Sequence, residues 1–334
     1  MLAFLEFCLA GALITFAGAK LALYGDVIGT RTGLGGTWVG LVLLAVVTSL
    51  PELITGVSAV VLADAPNIAV GAILGSCVFN LTILVIIDTL APAGGLRGRL
   101  GRQHILSAAY GIISIGVVGF SLLLEQAGRG VAIGRVGVYT PIVAVIYVIA
   151  VRAAFRHEPG HDHLPIEEAR GEPAPISLRS AALRYALAAS VVVAMGVWLP
   201  FLGQRLALAL QVNETFIGSL LIALATSLPE VVVTVAAVRI AAFDMAVSNL
   251  FGSNLFNVLI LGVEDLCFAR GPILGAVSEL HVVSAFSAIV MTGIAVVGLM
   301  YGAPRGAIQR IRWASLLLIA IYLAKFYILY LFGQ

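Results

Sequence analysis

Runs of about 20 apolar residues, each long enough to cross a bilayer hydrocarbon core, recur along the whole chain between short polar breaks. Ten runs can be marked, at approximately 2–24, 36–62, 67–91, 104–124, 134–152, 181–201, 212–240, 245–267, 277–301 and 309–331. Backbone polar groups in lipid must be satisfied within the segment, so such runs are read as helices. The pattern predicts an all-α polytopic membrane protein of about ten transmembrane helices. One connection differs from the rest. Residues 153–178 hold Glu158, Asp162, Glu167, Glu168, Arg170 and Glu172 among four prolines and show no apolar stripe. This stretch is a solvated linker. It divides the chain into a first five-helix unit (1–152), the linker (153–180) and a second five-helix unit (181–334).

Arginine placement predicts orientation. One set of loops and span ends holds Arg31, Arg97, Arg99, Arg102, Arg152, Arg156, Arg170, Arg179, Arg239, Arg305, Arg310 and Arg312. The opposite set holds Arg129, Arg135, Arg205 and Arg270. The richer set is expected in the cytoplasm, which puts the linker inside and both termini outside. The first apolar run follows Glu6 with no Lys or Arg before it, so it is read as a spanning helix rather than a cleaved signal.

Composition narrows the function classes. Hydrophobic residues make up 61% of the 334 and charged residues only 11%, against roughly 25% in soluble domains. A water-soluble surface cannot be built from this. The net charge of +2 and the lack of a basic run argue against a nucleic-acid partner. Cys8, Cys77 and Cys267 form no CxxC pair, and neither a disulfide framework nor a bound cofactor is expected.

The two halves repeat one another. Thr37-Trp38-Val39-Gly40 and Ala45-Val46-Val47-Thr48-Ser49-Leu50-Pro51-Glu52 match Thr215-Phe216-Ile217-Gly218 and Ala223-Leu224-Ala225-Thr226-Ser227-Leu228-Pro229-Glu230, at an offset of 226 − 48 = 178. Gly75-Ser76-Cys77-Val78-Phe79-Asn80 matches Gly252-Ser253-Asn254-Leu255-Phe256-Asn257, at 257 − 80 = 177. Passing from the second span to the seventh crosses the membrane an odd number of times, so the copies are expected to be two inverted-topology repeats of five helices. In transporters built this way the site lies near the midplane where the copies meet.

Glu52 and Glu230 fall inside apolar spans. A charge there costs about 3 kcal/mol on insertion scales and is tolerated beside a pathway or a partner. Lys20 and Arg239 cannot neutralise both, so a bound cation is the expected partner. Pro51 and Pro229 crowd the carbonyls of Val47 and Ala225. Thr48 and Glu52, Thr226 and Glu230, Ser76 and Asn80, and Ser253 and Asn257 each share a helix face through i, i+4 spacing. Carboxylates, amides, hydroxyls and carbonyls make an all-oxygen set. It suits Ca²⁺, which accepts 6–8 oxygens in irregular geometry, better than Mg²⁺. The bland alternatives are a Ser-Leu-Pro packing kink and serines bonded to their own backbone; duplication of the glutamate argues against the first. Gly71-x-x-x-Gly75 and Ser248-x-x-x-Gly252 are read as close helix packing.

These paired blocks resemble the α-repeats of the calcium/cation antiporter superfamily, above all its sodium/calcium exchanger branch. The proton/calcium branch, with its G-N-x-x-E pattern, is less similar. The resemblance implies ten helices, a cytoplasmic central loop and alternating access by sliding of the first and sixth helices. It further implies a site lined by Ala45, Thr48, Ser49, Glu52, Ser76 and Asn80 from one repeat. Ala223, Thr226, Ser227, Glu230, Ser253 and Asn257 would line it from the other, with the alanines acting through carbonyls. Some family members carry an acid at the position of Asn80 or Asn257; here both are Asn, which leaves two carboxylates.

The expected function is secondary antiport of Ca²⁺ against Na⁺ across a prokaryotic plasma (inner) membrane. Exchange against H⁺ is the close alternative, because desolvated carboxylates can take up protons. A cation channel is less consistent with an inverted pair inside one chain. An enzyme is disfavoured because no HExxH or GxSxG occurs in the spans. His157, His161 and His163 are read as linker residues rather than a metal or proton sensor. Asp88 and Asp265, each eight residues beyond a paired asparagine, are either helix-end acids or cation-gathering groups at the two mouths. Lys20 and Lys325 are read as snorkelling residues near an interface.

Overall fold

The structure is a computed structural model that describes residues 2–31, 45–90, 102–156, 176–240, 242–301 and 313–332. Thr37 to Gly40, most of the linker with its three histidines, and Arg97, Arg99, Arg305, Arg310 and Arg312 lie outside the described residues. The described chain is helical almost throughout: α1 (Leu2–Arg31), α2 (Leu50–Val61), α3 (Pro66–Leu90), α4 (Arg102–Gln126), α5 (Tyr139–Arg156), α6 (Leu178–Leu210), α7 (Glu214–Thr226), α8 (Leu228–Arg239), α9 (Phe243–Cys267), α10 (His281–Tyr301) and α11 (Trp313–Leu331). Among the described residues, seven helices are long and apolar enough to cross a membrane. The bent pair α7–α8 passes the same length and hydropathy test when taken together, and counted as one span it would be an eighth.

Two elements depart from the spans marked on the sequence. Residues 132–137 fold as an antiparallel hairpin pairing Ala132 with Gly137 and Ile133 with Val136. Gly134, at φ 66°, supplies the turn, so α5 starts at Tyr139 rather than near 134. The sixth helix does not end near 201. It continues for 33 residues because Leu202 to Leu210 contains good helix formers and Gln211 caps it in a left-handed conformation. Arg205, counted above as a loop residue, is therefore helical and bonds Glu6 of α1 at 2.5 Å.

The repeated Ser-Leu-Pro-Glu segments break their helices in the same way. Residues 45–48 are helical, Ser49 turns at φ −89° and ψ 11°, and α2 restarts with Pro51 in its first turn. Ser227 has φ −89° and ψ 5° between α7 and α8, with Pro229 in the matching place. Proline suits a first turn because its missing N–H would have no partner there. The axis bends by 43° at the second break, and α7 also contains a π-helical turn over Gly218–Ile222.

Helices α3 and α9 form the centre. Their spanning windows are 78% buried, against 33–39% for the other candidate spans. They pack on each other, with α2 and the α7–α8 pair against both. Helices α1 and α6 run together on the outside, and α4, α5, α10 and α11 complete the periphery. Phe4, Phe16, Phe120, Leu208 and Tyr327 are exposed on this outer belt, as expected where lipid is the solvent.

Glycines permit the central approach. A Cβ on Gly75 would lie 2.5 Å from the Ser219 carbonyl oxygen and 2.7 Å from Ala223 Cβ; one on Gly71 would lie 3.1 Å from the Ser219 amide. The small-residue pair of α3 thus seats α7 backbone to backbone. Gly75→Ala is expected to destabilise the fold by about 1–3 kcal/mol through overpacking. Thermal denaturation of the detergent-solubilised protein checks this, and an unchanged midpoint would refute the close contact.

Candidate cation site

The two helix breaks face each other, and α3 and α9 close the space between them. Hydrogen bonds join Thr48 to Ser253, Ser49 to Glu230, Glu52 to Ser76 and Ser227, and Asn80 to Asn254 of α9, and all twelve residues singled out by the repeat are buried. Ten of them, Thr48, Ser49, Glu52, Ser76, Asn80, Thr226, Ser227, Glu230, Ser253 and Asn257, have no exposed surface, while Ala45 and Ala223 retain 3% and 1%.

The bonding between halves is reciprocal. Ser49 Oγ donates to Glu230 Oε1 at 3.0 Å, and Ser227 Oγ, its mate at the 178 offset, lies 2.8 Å from Glu52 Oε1. Ser227 Oγ is also 2.8 Å from Ser76 Oγ, which lies 3.4 Å from Glu52 Oε1. Thr48 Oγ1 is 3.4 Å from Ser253 Oγ. Each carboxylate therefore has one oxygen held by the other half. Among the described residues the second oxygen, Oε2, has no hydrogen-bond partner in either glutamate, and neither do Asn80 Oδ1 or the Asn257 amide atoms. Unpaired buried oxygens are costly. No basic side chain is bonded to them among the described residues.

The alanine carbonyls are less available than expected. Ala45 O accepts from Ser49 N at 3.1 Å and from Thr48 Oγ1 at 3.2 Å; Ala223 O accepts from Ser227 N at 3.1 Å and from Thr226 Oγ1 at 3.3 Å. A carbonyl has two lone pairs, so each threonine hydroxyl must turn away before its alanine can serve a cation. Among the described residues no three His, Cys, Asp or Glu side chains cluster as a metal site. Any cation held here takes neutral oxygens beside the two carboxylates.

Asp88 and Asp265 fall in the last turns of α3 and α9, in line with the reading of them as helix-end acids, whereas Lys325 is placed differently from the sequence reading. Asp265 gathers no ions at an open mouth. It is fully buried and accepts from Gly137 N, Thr140 Oγ1 and Ile273 N at 2.6–2.8 Å, pinning the hairpin and the turn after α9. Asp88 accepts from Ser315 Oγ of α11 at 2.7 Å. Lys325 does not snorkel: it is 1% exposed, and its Nζ lies 4.5 Å from the Phe326 ring centroid. Lys20 is half-buried beside Phe16, which fits the snorkelling reading.

Sequence reasoning missed Asn254. Its Oδ1 accepts from Asn80 Nδ2 at 3.0 Å, and its Nδ2 donates to the Cys77 carbonyl at 3.0 Å. Its mate in the first half is Cys77, so a search for identical pairs passes over it. Asn249, whose Oδ1 is 3.5 Å from Thr48 Oγ1, was missed for the same reason, its mate being Ala72.

The family model for sodium/calcium exchanger proteins matches residues 2–152 and 180–334. The chain belongs to this family. The gap in the match coincides with the linker marked on the sequence. Inner membrane protein YrbG of Escherichia coli is 26% identical over 258 residues, covering 76% of each chain. The putative antiporter CaxA of Alkalimonas amylolytica is 26% identical over 265 residues, 78% of this chain and 79% of its own. The sodium/calcium exchanger MaX1 of Methanosarcina acetivorans is 34% identical over 122 residues, 36% of this chain and 32% of its own. In fold, the chain is similar to the sodium-calcium exchanger NCX_Mj, with TM-score 0.62 at 22% identity over 97% of both chains. It is also similar to the H⁺/Ca²⁺ exchanger CAX, with TM-score 0.71 at 12% identity over 99% of this chain and 86% of that one. The chain is an integral membrane member of the calcium/cation antiporter superfamily, a group of exchangers rather than enzymes.

The reciprocal bonds generate a test within this family member. A double-mutant cycle of Ser227→Ala with Glu52→Gln, read by thermal stability in detergent, is expected to return a coupling of about 2 kcal/mol, the scale for a hydrogen bond to a charged group. The Ser49/Glu230 cycle is expected to return the same. The same-half cycle Ser49/Glu52 is expected to return clearly less. Equal values in all three would mean that the serines do not bind across the halves.

Proposed function

We propose that this chain is a secondary antiporter that moves Ca²⁺ in exchange for Na⁺ by alternating access. One observation carries the reading: two fully buried carboxylates, Glu52 and Glu230, are cross-held by serines of opposite halves, each with one oxygen left unpartnered. The ion would lie between them. Its ligands would be drawn from Glu52, Glu230, Asn80, Asn257, Thr48, Thr226, Ser49, Ser227, Ser76 and Ser253, with the carbonyls of Ala45 and Ala223 once their threonines turn. Two carboxylates neutralise one Ca²⁺ or two Na⁺, so either load leaves the interior uncharged. Neutrality matters because an uncompensated buried charge is expensive.

The architecture belongs to the same proposal. The constant offset and the reciprocal bonds support two inverted five-helix repeats related by a pseudo-two-fold axis through the site. Ten spans follow if the described helical residues 45–48 and α2 complete one broken span, and α5 another. The arginine distribution supports outside termini and a cytoplasmic linker. The long contact of α1 with α6 supplies a surface along which the two could slide as a pair.

A second reading, exchange against H⁺, is favoured by the absence of a third acid, since both Asn80 and Asn257 are neutral. Two protons on two carboxylates would balance one Ca²⁺ without net charge movement. Purified protein in vesicles separates the readings: ⁴⁵Ca²⁺ uptake driven by a Na⁺ gradient at equal pH supports sodium exchange, and uptake driven only by a pH gradient supports the proton reading. Glu52→Gln and Glu230→Gln are each expected to abolish uptake in a folded protein, because one remaining carboxylate cannot balance a divalent ion. Normal flux in either would overturn the site.

Replacing residues 157–175 with a Gly/Ser linker of similar length is expected to leave the flux of the vesicle-inserted protein unchanged. Loss of flux would show that the linker takes part in transport.

A further inference from the structure

Glu264 is a third buried carboxylate, and none of the bonding described above uses it. It lies on α9 seven residues beyond Asn257, two helical turns along the same face. It has no exposed surface, and neither of its oxygens has a hydrogen-bond partner among the described residues. Its carboxyl group is seated against Gly56 of α2. A Cβ at Gly56 would lie 2.9 Å from Glu264 Cδ, so the glycine makes the room for it. Gly56 is four residues beyond Glu52, one turn along that helix, so the Glu264 carboxyl lies about 6 Å further along α2 than the central pair.

The position is one-sided. At the two repeat offsets the mate of Glu264 is Ile87 and the mate of Gly56 is Thr234, so the other half has no equivalent carboxylate. Glu264 stands close to the ends of α2 and α9, at the rim where Arg270 pairs with Asp64. The titratable groups near this end are Glu52 from α2, Glu125 from α4 and Tyr139 from α5, together with the bonded Asp265. No basic side chain is bonded to Glu264 among the described residues. The central pair is already balanced by its own load, so the Glu264 charge needs a cation of its own.

We propose that Glu264, seated against Gly56, forms a separate station for one monovalent cation, a proton or Na⁺, between the central site and the rim of the α2 and α9 ends. This rests on the exchange proposed above. The station adds one driving ion to each cycle without holding Ca²⁺ itself.

The test compares two fluxes in vesicles for wild type, Glu264→Gln and Gly56→Ala, with folding confirmed by monodispersity in detergent. Ca²⁺/Ca²⁺ exchange at equal monovalent concentrations needs only the central site; gradient-driven Ca²⁺ uptake needs the station as well. Both variants are expected to retain Ca²⁺/Ca²⁺ exchange. Gradient-driven uptake is expected to lose one driving ion per cycle, read as a lower order in the driving cation and a changed reversal potential. Running the assay with a Na⁺ gradient and then a pH gradient tells which cation occupies the station. Unchanged order in both variants would make Glu264 structural and overturn the proposal. Loss of Ca²⁺/Ca²⁺ exchange in folded Glu264→Gln would place Glu264 on the Ca²⁺ route and also overturn it. A wild type without Ca²⁺/Ca²⁺ exchange would instead overturn the central reading, and this proposal with it.

Discussion

Two carboxylates held away from water by an apolar bundle are the constraint on which the rest of this structure depends. Placing Glu52 and Glu230 at full burial costs several kcal/mol unless each finds partners. The protein supplies half of what they need. One oxygen of each receives a serine hydroxyl from the opposite half, and the other is left without a partner. A site satisfied completely by protein would have no use for an ion. A site left wholly unsatisfied would not fold. In the proposed exchange, the half-satisfied state would let a dehydrated cation complete the bonding and then leave.

The surrounding architecture follows from that demand. A serine can reach across only if its helix is interrupted beside it, and Ser49 and Ser227 are the interruption points, with nearly identical backbone angles. The prolines two residues later are tolerable because each falls in the first turn of a restarting helix. The breaks must also approach closely, and Gly71 and Gly75 allow α3 to lie against the backbone of α7. The exposed outer helices can be made of almost any apolar residues, because lipid asks little of them beyond length and hydropathy.

Much of this was legible in the sequence because duplication separates function from packing. A single Ser-Leu-Pro-Glu reads as a kink; two at a fixed offset read as a site, and all twelve residues picked in this way are buried. Element ends were also legible wherever hydropathy changed sharply, as at Pro66 and Leu90 of α3. What hydropathy could not show was a helix continuing past the apolar run, as α6 does to Leu210, or a hairpin too short to leave a pattern at 132–137. Asp265 shows a different limit. Its spacing from Asn257 mirrors that of Asp88 from Asn80, yet three donors, from the hairpin, the first turn of α5 and the turn after α9, tie it down. Donors brought in by the tertiary fold have no signature in the sequence. Lys325 was misread because an apolar span with one lysine near its end looks the same whether the lysine faces water or a neighbouring ring.

The symmetry that made the site legible also hides what is particular to this chain. In the proposed alternating cycle the central pair must serve both faces equally, so residues that touch the ion are expected in matched copies. Residues that bias the cycle toward one face must be unmatched. Asn254 is paired by position with Cys77, Gly56 with Thr234, and Glu264 with Ile87. Each of these three pairs sets a polar or space-making residue against a different one. Asn254 ties α9 to α3 through Asn80 and the Cys77 carbonyl, and the first half returns the link only through the weak thiol donor of Cys77, whose Sγ lies 3.9 Å from the Asn254 carbonyl oxygen. Glu264 adds a charge on one side of the centre only. A charge displaced from the proposed symmetry axis would lie nearer one mouth than the other, so its occupancy would follow whichever mouth is open. In that proposed cycle the matched residues would set which ion is carried, and the unmatched ones how much each half-cycle costs.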